Sequence, residues 1–141
     1  MNVNSKVFIF GSRNITNGLN LSILSKIIDV KAKVLIGDCK ELDTSMQQYF
    51  KDNNYTNINI YYSGKICRNS VGNWPKNSIY SSYPAGTKGF YTDKDITMCL
   101  DCTNAIAFWD GKSFGSYNNI LKLKTLNKLV AIYVNNEIKV M

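Results

Sequence analysis

Apolar and polar positions repeat one plan along the chain: a short apolar run, then a polar turn, then a segment of helical periodicity. Apolar runs without alternation are typical of parallel strands that are buried on both faces. Between the runs, apolar residues recur three and four positions apart, as on the inner face of a crossover helix. The five predicted strands lie at about 6–10, 32–36, 57–62, 104–109 and 129–134, and the third, which alternates more, is expected near an edge of the sheet.

This β-α-β succession predicts a single α/β domain over residues 1–141, a three-layer Rossmann-like arrangement around a mainly parallel sheet. Right-handed crossovers place the five strands in the order 3-2-1-4-5. After the fifth strand, Asn135 and Asn136 are predicted to form a two-residue turn, because Asn tolerates positive φ. Residues 137–140 then return as a short antiparallel edge strand.

Side chains that cap helix N-termini predict where two of the helices begin. Residues 43–45, Asp-Thr-Ser, precede the second helix, and Thr92 or Asp93 precedes the third. The last helix is predicted to begin at Ser116.

One long segment, residues 63–92, departs from the strand and helix plan and is rich in aromatic residues. Segments of this length in compact domains are usually functional or disordered, and the aromatic content argues against disorder. One interpretation is a flap whose rings stack on a nucleobase, with Trp74 and Tyr83 as the stacking residues. The other is that these rings pack against the domain or against a second subunit.

Three polar, glycine-containing turns follow predicted strands 1, 2 and 4, at 11–13, 37–38 and 110–116. Ligands of open parallel sheets bind at the carboxyl edge where the strand order reverses, and the order 3-2-1-4-5 brings all three turns to that edge. Free backbone amides at a helix N-terminus also suit an anion. The sequence therefore predicts an anion site at this edge.

Particular side chains in these turns have predicted roles. Arg13 can bind a phosphate with its planar fork, and Ser113 and Ser116 can hold a phosphate together with nearby amides. Asp38 or Asp110 can accept hydrogen bonds from ribose hydroxyls. The alternatives are an ordinary strand-to-helix turn with a solvated Arg13, and carboxylates that cap turns.

Composition narrows the choice of partners. The chain has 17 Lys and Arg against 10 Asp and Glu, but they are scattered along it. This favours a small anionic ligand over nucleic acid, which usually requires a basic stripe with interleaved aromatics.

No apolar run approaches the roughly 20 residues of a membrane span, and the N-terminus lacks the plan of a signal peptide. We therefore expect a cytoplasmic protein without a membrane partner.

Four cysteines without a secretory signal predict reduced thiols. Cys99 and Cys102 form a CxxC pair, which can indicate a metal or redox site, but the chain has no second CxxC and no histidine to complete a zinc site. The favoured interpretation is two small side chains on a helix face. The sequence accordingly predicts neither a metal nor a cofactor.

Four motifs occur in order along the chain: FGSR at 10–13, GDC at 37–39 followed by Asp43, KDITM at 94–98, and WDGKSFGS at 109–116. This succession, over about residues 6–134, resembles the YpsA-like branch of the SLOG superfamily. In that branch the first strand ends in a GSR-type turn, the second in a GDA-type turn with a later Asp, and the fourth in a W-D-G-x-S-x-G-T-type loop. The resemblance implies a Rossmann-like fold and a nucleotide-derived ligand, for example an ADP-ribose-type or cyclic nucleotide signal.

Taken together, the turns, the flap and the motifs give one set of predicted ligand-binding residues. They are Gly11, Ser12, Arg13, Gly37, Asp38, Asp43, Trp74, Tyr83, Lys94, Asp110, Gly111, Ser113, Gly115, Ser116 and Asn119. Related folds often pair subunits, so the resemblance also implies a homo-oligomer, a dimer or higher.

The resemblance leaves two functions, because related members include nucleoside deoxyribosyltransferases and phosphoribohydrolases. The chain lacks the PGGxGT-type motif and glutamate of the phosphoribohydrolases, and its only glutamates are Glu41 and Glu137. Where deoxyribosyltransferases carry a nucleophilic glutamate, four positions after the loop glycine, the chain has Asn119, which cannot attack an anomeric carbon. We therefore expect a non-catalytic protein, without catalytic residues, that sequesters or senses its ligand.

The alternative is an N-glycosidic hydrolase or transferase, whose two carboxyl groups would come from Asp38, Asp43, Asp95 and Asp110. Nucleic-acid binding and a purely structural role account for the remaining possibilities.

Overall fold

The structure is a computed structural model that describes residues 1–13, 15, 21–134 and 137–139. The strands in this part of the chain are β1 (Lys6–Gly11), β2 (Lys33–Gly37), β3 (Ile58–Ser63), β4 (Lys76–Ile79), β5 (Asn104–Trp109), β6 (Leu129–Val134) and β7 (Glu137–Lys139). The helices are α1 (Leu21–Val30), α2 (Leu42–Asp52), α3 (Lys88–Asp101) and α4 (Phe114–Thr125).

All of these strands form one sheet in the order β4-β3-β2-β1-β5-β6-β7. The first six strands run parallel, and β7 pairs with β6 in the antiparallel sense. Strand β1 is central, so that Phe8 lies opposite Leu35 on one side and Ala105 on the other. This confirms the α/β class, the predicted strand order and the C-terminal antiparallel edge. The predicted Asn135–Asn136 turn lies outside the described residues.

Two cores cover the two faces of the sheet, and their separation follows from the alternation of side chains along each strand. On one face, Val7 and Ile9 of β1 pack with α1 and α2 residues such as Leu24 and Phe50. On the other face, Phe8 and Phe10 pack with residues of α3 and α4. Because both faces of β1 are covered, its apolar run shows no alternation, as predicted. The arrangement is therefore three-layered.

The pair Cys99 and Cys102 belongs to the core beneath α3 and α4. Both cysteines are buried free thiols. Among the described residues, no group of three His, Cys, Asp or Glu is placed to hold a metal ion. None of the helices in the described ranges is both long and apolar enough to cross a membrane.

The segment 63–92 contains a strand that the sequence pattern did not predict. Strand β4 pairs parallel with β3 and forms one edge of the sheet, so β3 is an interior strand. Its sequence, Lys-Asn-Ser-Ile, has a single apolar residue, and its side chains alternate between exposed and half-buried positions. Backbone pairing with β3, rather than an apolar pattern, defines this strand, which explains why the pattern missed it.

The predicted helix starts differ from the observed ones. Helix α3 begins at Lys88, with Thr87 as N-cap, one turn before the predicted Thr92. Helix α4 begins at Phe114 and not at Ser116. Helix α2 has no side-chain cap, and the carboxylate of Asp43, predicted as a cap, instead accepts from the Cys39 N–H at 3.0 Å.

Candidate ligand-binding cleft

A cleft of about 910 Å³ opens at the carboxyl edge of the sheet, beside the adjacent strands β1 and β5. This is the point at which the strand order reverses, where ligands of doubly wound folds bind. The predicted site residues that line it are Gly11, Ser12, Arg13, Gly37, Asp43, Lys94, Asp110, Ser113, Gly115, Ser116 and Asn119. Asp38, Gly111, Trp74 and Tyr83 are not among its lining residues.

The turn after β1 is tied to the turn after β5. A Cβ on Gly11 would lie 2.2 Å from the Phe108 oxygen, so only glycine allows the two strand ends to approach this closely. Ser12 is buried, and its N–H donates to the same oxygen at 2.9 Å. The Ser12 Oγ in turn accepts from the Asp110 N–H at 2.9 Å. The neighbouring Arg13 is exposed at the cleft.

Asp110 shapes the loop that leads into α4. Its carboxylate accepts from the N–H groups of Lys112 and Ser113 and from the Ser113 hydroxyl, each at 2.8 Å. Burial alone would raise the pKa of Asp110, but these hydrogen bonds favour the ionised form and lower it to about 2. Gly111, at φ 79°, makes the turn possible. The hydrogen bonds of the Asp110 carboxylate are thus those of the turn-capping alternative.

The first turn of α4 faces the cleft. Gly115 lies in it, and a Cβ at that position would meet no atom within 4 Å. Ser116 is buried beside it. Amides in the first turn of a helix have no helical acceptor, and the helix dipole adds a partial positive charge there. This end of the cleft therefore suits an anionic group.

Asp38, predicted to contact ribose, has another role. It is buried, and its carboxylate accepts from the backbone N–H of Arg68 at 2.9 Å, from Nε at 3.2 Å and from Nη2 at 2.7 Å. Burial alone would lower the pKa of Arg68, but the hydrogen bonds that Arg68 donates to Asp38 and the nearby negative charge raise this pKa. Asp38 is not among the residues that line the cleft, and its carboxylate, predicted to contact ribose, pairs with Arg68.

A charged cluster forms another wall of the cleft. Lys94 is buried, and its Nζ donates to Asp95 Oδ1 at 3.1 Å and to the Tyr91 oxygen at 3.4 Å. Asn119 Nδ2 lies 3.5 Å from the second oxygen of Asp95. Although burial disfavours the ammonium, the charge of Asp95 and its neighbours raises the pKa of Lys94. The KDITM motif thus places its first two residues in the cleft as an ion pair.

Asp43 lies beside this pair without forming a salt bridge to it. A Cβ on Gly37 would be 2.9 Å from Asp43 Oδ2 and 3.6 Å from Lys94 Nζ, so glycine leaves room for both. Burial is the main reason that the pKa of Asp43 rises to about 7, and the charge of Asp95 adds to it more weakly than Lys94 opposes it. Burial therefore outweighs the charge of Lys94, and the pKa of Asp43 lies near neutral pH.

The two aromatic residues predicted to stack on a base lie elsewhere. Trp74 is buried in the core that contains α1 and α2, and its Nε1 donates to the Tyr55 oxygen at 2.9 Å. Tyr83 is 54% exposed, and its ring lies against Gly89. For Trp74 the structure matches the packing alternative. The aromatic residues that line the cleft are Phe8, Phe10, Tyr91 and Phe114.

Sequence reasoning missed several cationic residues. Lys40, Arg68 and Lys88 line the cleft together with the predicted Arg13 and Lys94, against the carboxyl groups of Asp43, Asp95 and Asp110. Lys40 follows the GDC turn directly and could have been included on that ground. Arg68 and Lys88 belong to no motif, and only the tertiary structure brings them to the cleft.

The fold and the cleft define a class: a Rossmann-like α/β domain with a cation-rich site at the strand-order reversal. Comparison of the chain with protein-family models, with curated proteins and with solved structures finds no match. The resemblance to the SLOG superfamily, which depends on the four motifs, stays a prediction.

Proposed function

We propose that this protein binds a nucleotide-derived anion, of the ADP-ribose or cyclic nucleotide type, in the cleft beside β1 and β5, and thereby sequesters or senses it. The observation that carries the proposal is a cleft at the strand-order reversal that combines the first turn of α4 with five cationic side chains. Phosphate groups are bound in proteins by such combinations of helix N-termini and cations.

The size and the chemistry of the site support the same proposal. Its volume, about 910 Å³, lies within the range of small-molecule sites, about 300–1,000 Å³. Asn119 lines the cleft, and its amide contacts Asp95. In the motif resemblance, Asn119 stands at the position of the deoxyribosyltransferase nucleophile. A binder needs no nucleophile at this position. The SLOG membership and the predicted homo-oligomer remain part of the proposal.

The first test is native mass spectrometry of the purified protein, followed by heating and mass analysis of the released small molecules. We expect an intact nucleotide-derived compound in near-stoichiometric amount, or, if the protein is empty, calorimetric binding of ADP-ribose or a cyclic nucleotide. A protein that releases no such compound and binds none of a nucleotide panel at millimolar concentration would overturn the proposal.

A paired substitution shows whether binding occurs in this cleft. Lys40→Ala with Lys88→Ala removes two positive charges from its lining, and Lys26→Ala with Lys51→Ala removes two exposed charges from α1 and α2. We expect roughly tenfold weaker binding for the first pair and less than about twofold for the second, because Lys26 and Lys51 do not line the cleft and salt screens exposed charges. Equal losses for both pairs would place the ligand elsewhere.

A second candidate function, N-glycosidic hydrolysis or transfer, is favoured by one observation. Asp43, with a pKa of about 7, and the ion-paired Asp95 line the same cleft. Glycosidic hydrolysis and transfer use two carboxyl groups, and one with a raised pKa can act as the general acid that protonates the leaving nucleobase. Incubation with a nucleoside and ADP-ribose panel tests it: base release that Asp43→Asn abolishes, with binding retained, would establish an enzyme.

A further inference from the structure

Arg68 lines the cleft, although no motif contains it. It lies in the connection between β3 and β4, and its side chain is 30% exposed. The guanidinium carbon lies 3.9 Å from the centroid of the Tyr91 ring, whose side chain also lines the cleft. The guanidinium is therefore enclosed by the protein on one flat face and on one edge.

Buried groups fix the segment that carries Arg68. Gln47 is fully buried, its Nε2 donates to the oxygens of Gly37 and Asn69, and its Oε1 accepts from the Val71 N–H at 3.0 Å. Asn69 Nδ2 donates to the backbone carbonyl oxygen of Asp38 at 3.0 Å. The connection is thus fastened to the end of β2 at Asn69 and, through Gln47, at Val71, both of which closely follow Arg68.

The contacts of the guanidinium leave one part of it unused. The Asp38 carboxylate accepts hydrogen bonds from Nε and Nη2 of Arg68, and the Cys39 sulfur lies 3.5 Å from the same Nη2. No described residue accepts from Nη1. An arginine that served only to neutralise Asp38 would not need to line the cleft. A planar guanidinium that a buried carboxylate holds by one edge is oriented to bind a second anion with its free nitrogen.

We propose that Arg68 binds a phosphate group of the cleft's ligand through Nη1, and that Asp38 and Tyr91 are positioning residues that orient its guanidinium. This inference rests on the proposed function, since it assumes a phosphorylated ligand in the cleft. It assigns to Asp38 an indirect role in place of the predicted ribose contact.

The position of Asp38 allows a test in which geometry and charge predict opposite results. Asp38→Asn removes a negative charge next to an anion site, so electrostatics alone would strengthen anion binding. If Asp38 orients Arg68, the same substitution weakens binding, because the guanidinium loses its charge-assisted bidentate partner.

The experiment measures the affinities of wild type, Arg68→Lys and Asp38→Asn for ADP-ribose and for inorganic pyrophosphate by calorimetry. We expect both variants to bind about tenfold more weakly, since lysine keeps the charge but not the fork. Thermal unfolding of each variant verifies that it is folded. Lys26→Ala, on the exposed surface of α1, is the control and should bind as wild type does.

Tyr91 provides a second route should Asp38→Asn fail to fold. Tyr91→Phe keeps the ring beneath the guanidinium, whereas Tyr91→Leu removes it, so we expect near wild-type binding for the first and about threefold weaker binding for the second.

Wild-type affinities in Arg68→Lys, or tighter binding in Asp38→Asn, would overturn the inference and leave the proposed function intact. Failure of the wild type to bind any phosphorylated probe would overturn both.

Discussion

The pKa of Asp43 depends on the burial of its carboxyl group and on the charges beside it. Lys94 is close enough to lower its pKa, but the Lys94 ammonium pairs with Asp95 at 3.1 Å. Burial outweighs the effect of Lys94 and raises the pKa of Asp43 to about 7. A carboxyl group that is partly neutral at the wall of an anion cleft reduces repulsion of an anionic ligand.

Asp43 should make the stability of the protein depend on pH. Its pKa is about 7 in the folded protein and about 3.9 in an unfolded chain, so the folded state binds more protons between these values. The contribution of Asp43 is therefore fully present below about pH 4 and is lost as the pH rises through 7. The chain has no histidine, so few other groups titrate in the upper part of this range.

Asp43→Asn removes this dependence while an amide oxygen can still accept from the Cys39 N–H. We expect its free energy of unfolding to exceed that of wild type by roughly 1–2 kcal/mol at pH 8, with the difference vanishing near pH 4. Urea unfolding across this range measures it, with the exposed Asp29→Asn as control. A difference that does not change with pH would contradict the assignment.

Gly11 offers a second prediction at the scale of a residue. An added Cβ would meet the Phe108 oxygen at 2.2 Å and Leu42 Cδ2 at 2.3 Å, and the first of these is backbone that cannot move aside easily. We expect Gly11→Ala to cost roughly 2–4 kcal/mol in urea unfolding. Gly115→Ala, where a Cβ meets nothing within 4 Å in a helix, should instead stabilise by up to about 1 kcal/mol. Equal effects would mean that β1 and β5 are not so closely apposed.

At the scale of elements, the cleft depends on links between turns that lie far apart in the chain. Ser12 and Asp110 are 98 positions apart, yet one hydrogen bond joins the turn after β1 to the turn after β5. Asp38 and Arg68 similarly join the end of β2 to the connection before β4. Adjacent parallel strands explain both links, because their carboxyl ends meet at one edge of the sheet.

The start of α3 gives a prediction at this scale. Thr87 Oγ1 accepts from the Phe90 N–H at 3.4 Å, whereas Thr92 lies one turn inside the helix and donates to the Lys88 oxygen at 2.8 Å. Thr87→Ala should therefore cost about 1 kcal/mol of stability, and Thr92→Ala close to nothing. Thermal unfolding compares the two, and a larger loss from Thr92→Ala would place the N-cap where the sequence pattern predicted it.

For the molecule as a whole, the sheet separates two cores and leaves the cleft at one edge. The accessibility of the four thiols follows from this arrangement. Cys99 and Cys102 lie in a core, whereas Cys39 and Cys67 are half-buried. Burial raises the pKa of all four, that of Cys99 to about 12. Reactivity should therefore differ mainly through access.

We expect iodoacetamide at pH 8 to modify Cys39 and Cys67 in the native protein, and Cys99 and Cys102 only at the rate of unfolding. Peptide mass spectrometry identifies the modified residues, and the same reaction in denaturant provides the control in which all four react. Rapid modification of Cys99 in the native state would show that α3 does not cover this core.

Much of the architecture could be predicted from the sequence, because it depends on local periodicity. The apolar run at 6–10 needs no partner to indicate a strand covered on both faces, and the crossover rule then orders the strands. The pattern failed at β4, where backbone pairing outweighs a sequence with one apolar residue. It left the role of Trp74 open, because an aromatic ring in a long connection suits a core and a ligand equally well, and the structure places this ring in a core.

The sequence by itself determined which turns meet at the edge of the sheet, since strand order and direction place them there. Only the tertiary structure decided what each side chain does in that place. Asp38 and Asp110 each directly follow a strand. The buried Asp38 carboxylate accepts hydrogen bonds from Arg68, whereas the Asp110 carboxylate accepts from the Ser113 N–H of its own loop beside the cleft. A hydrogen bond depends on distances of a few tenths of an ångström between residues far apart in the chain, and local periodicity carries no information about them.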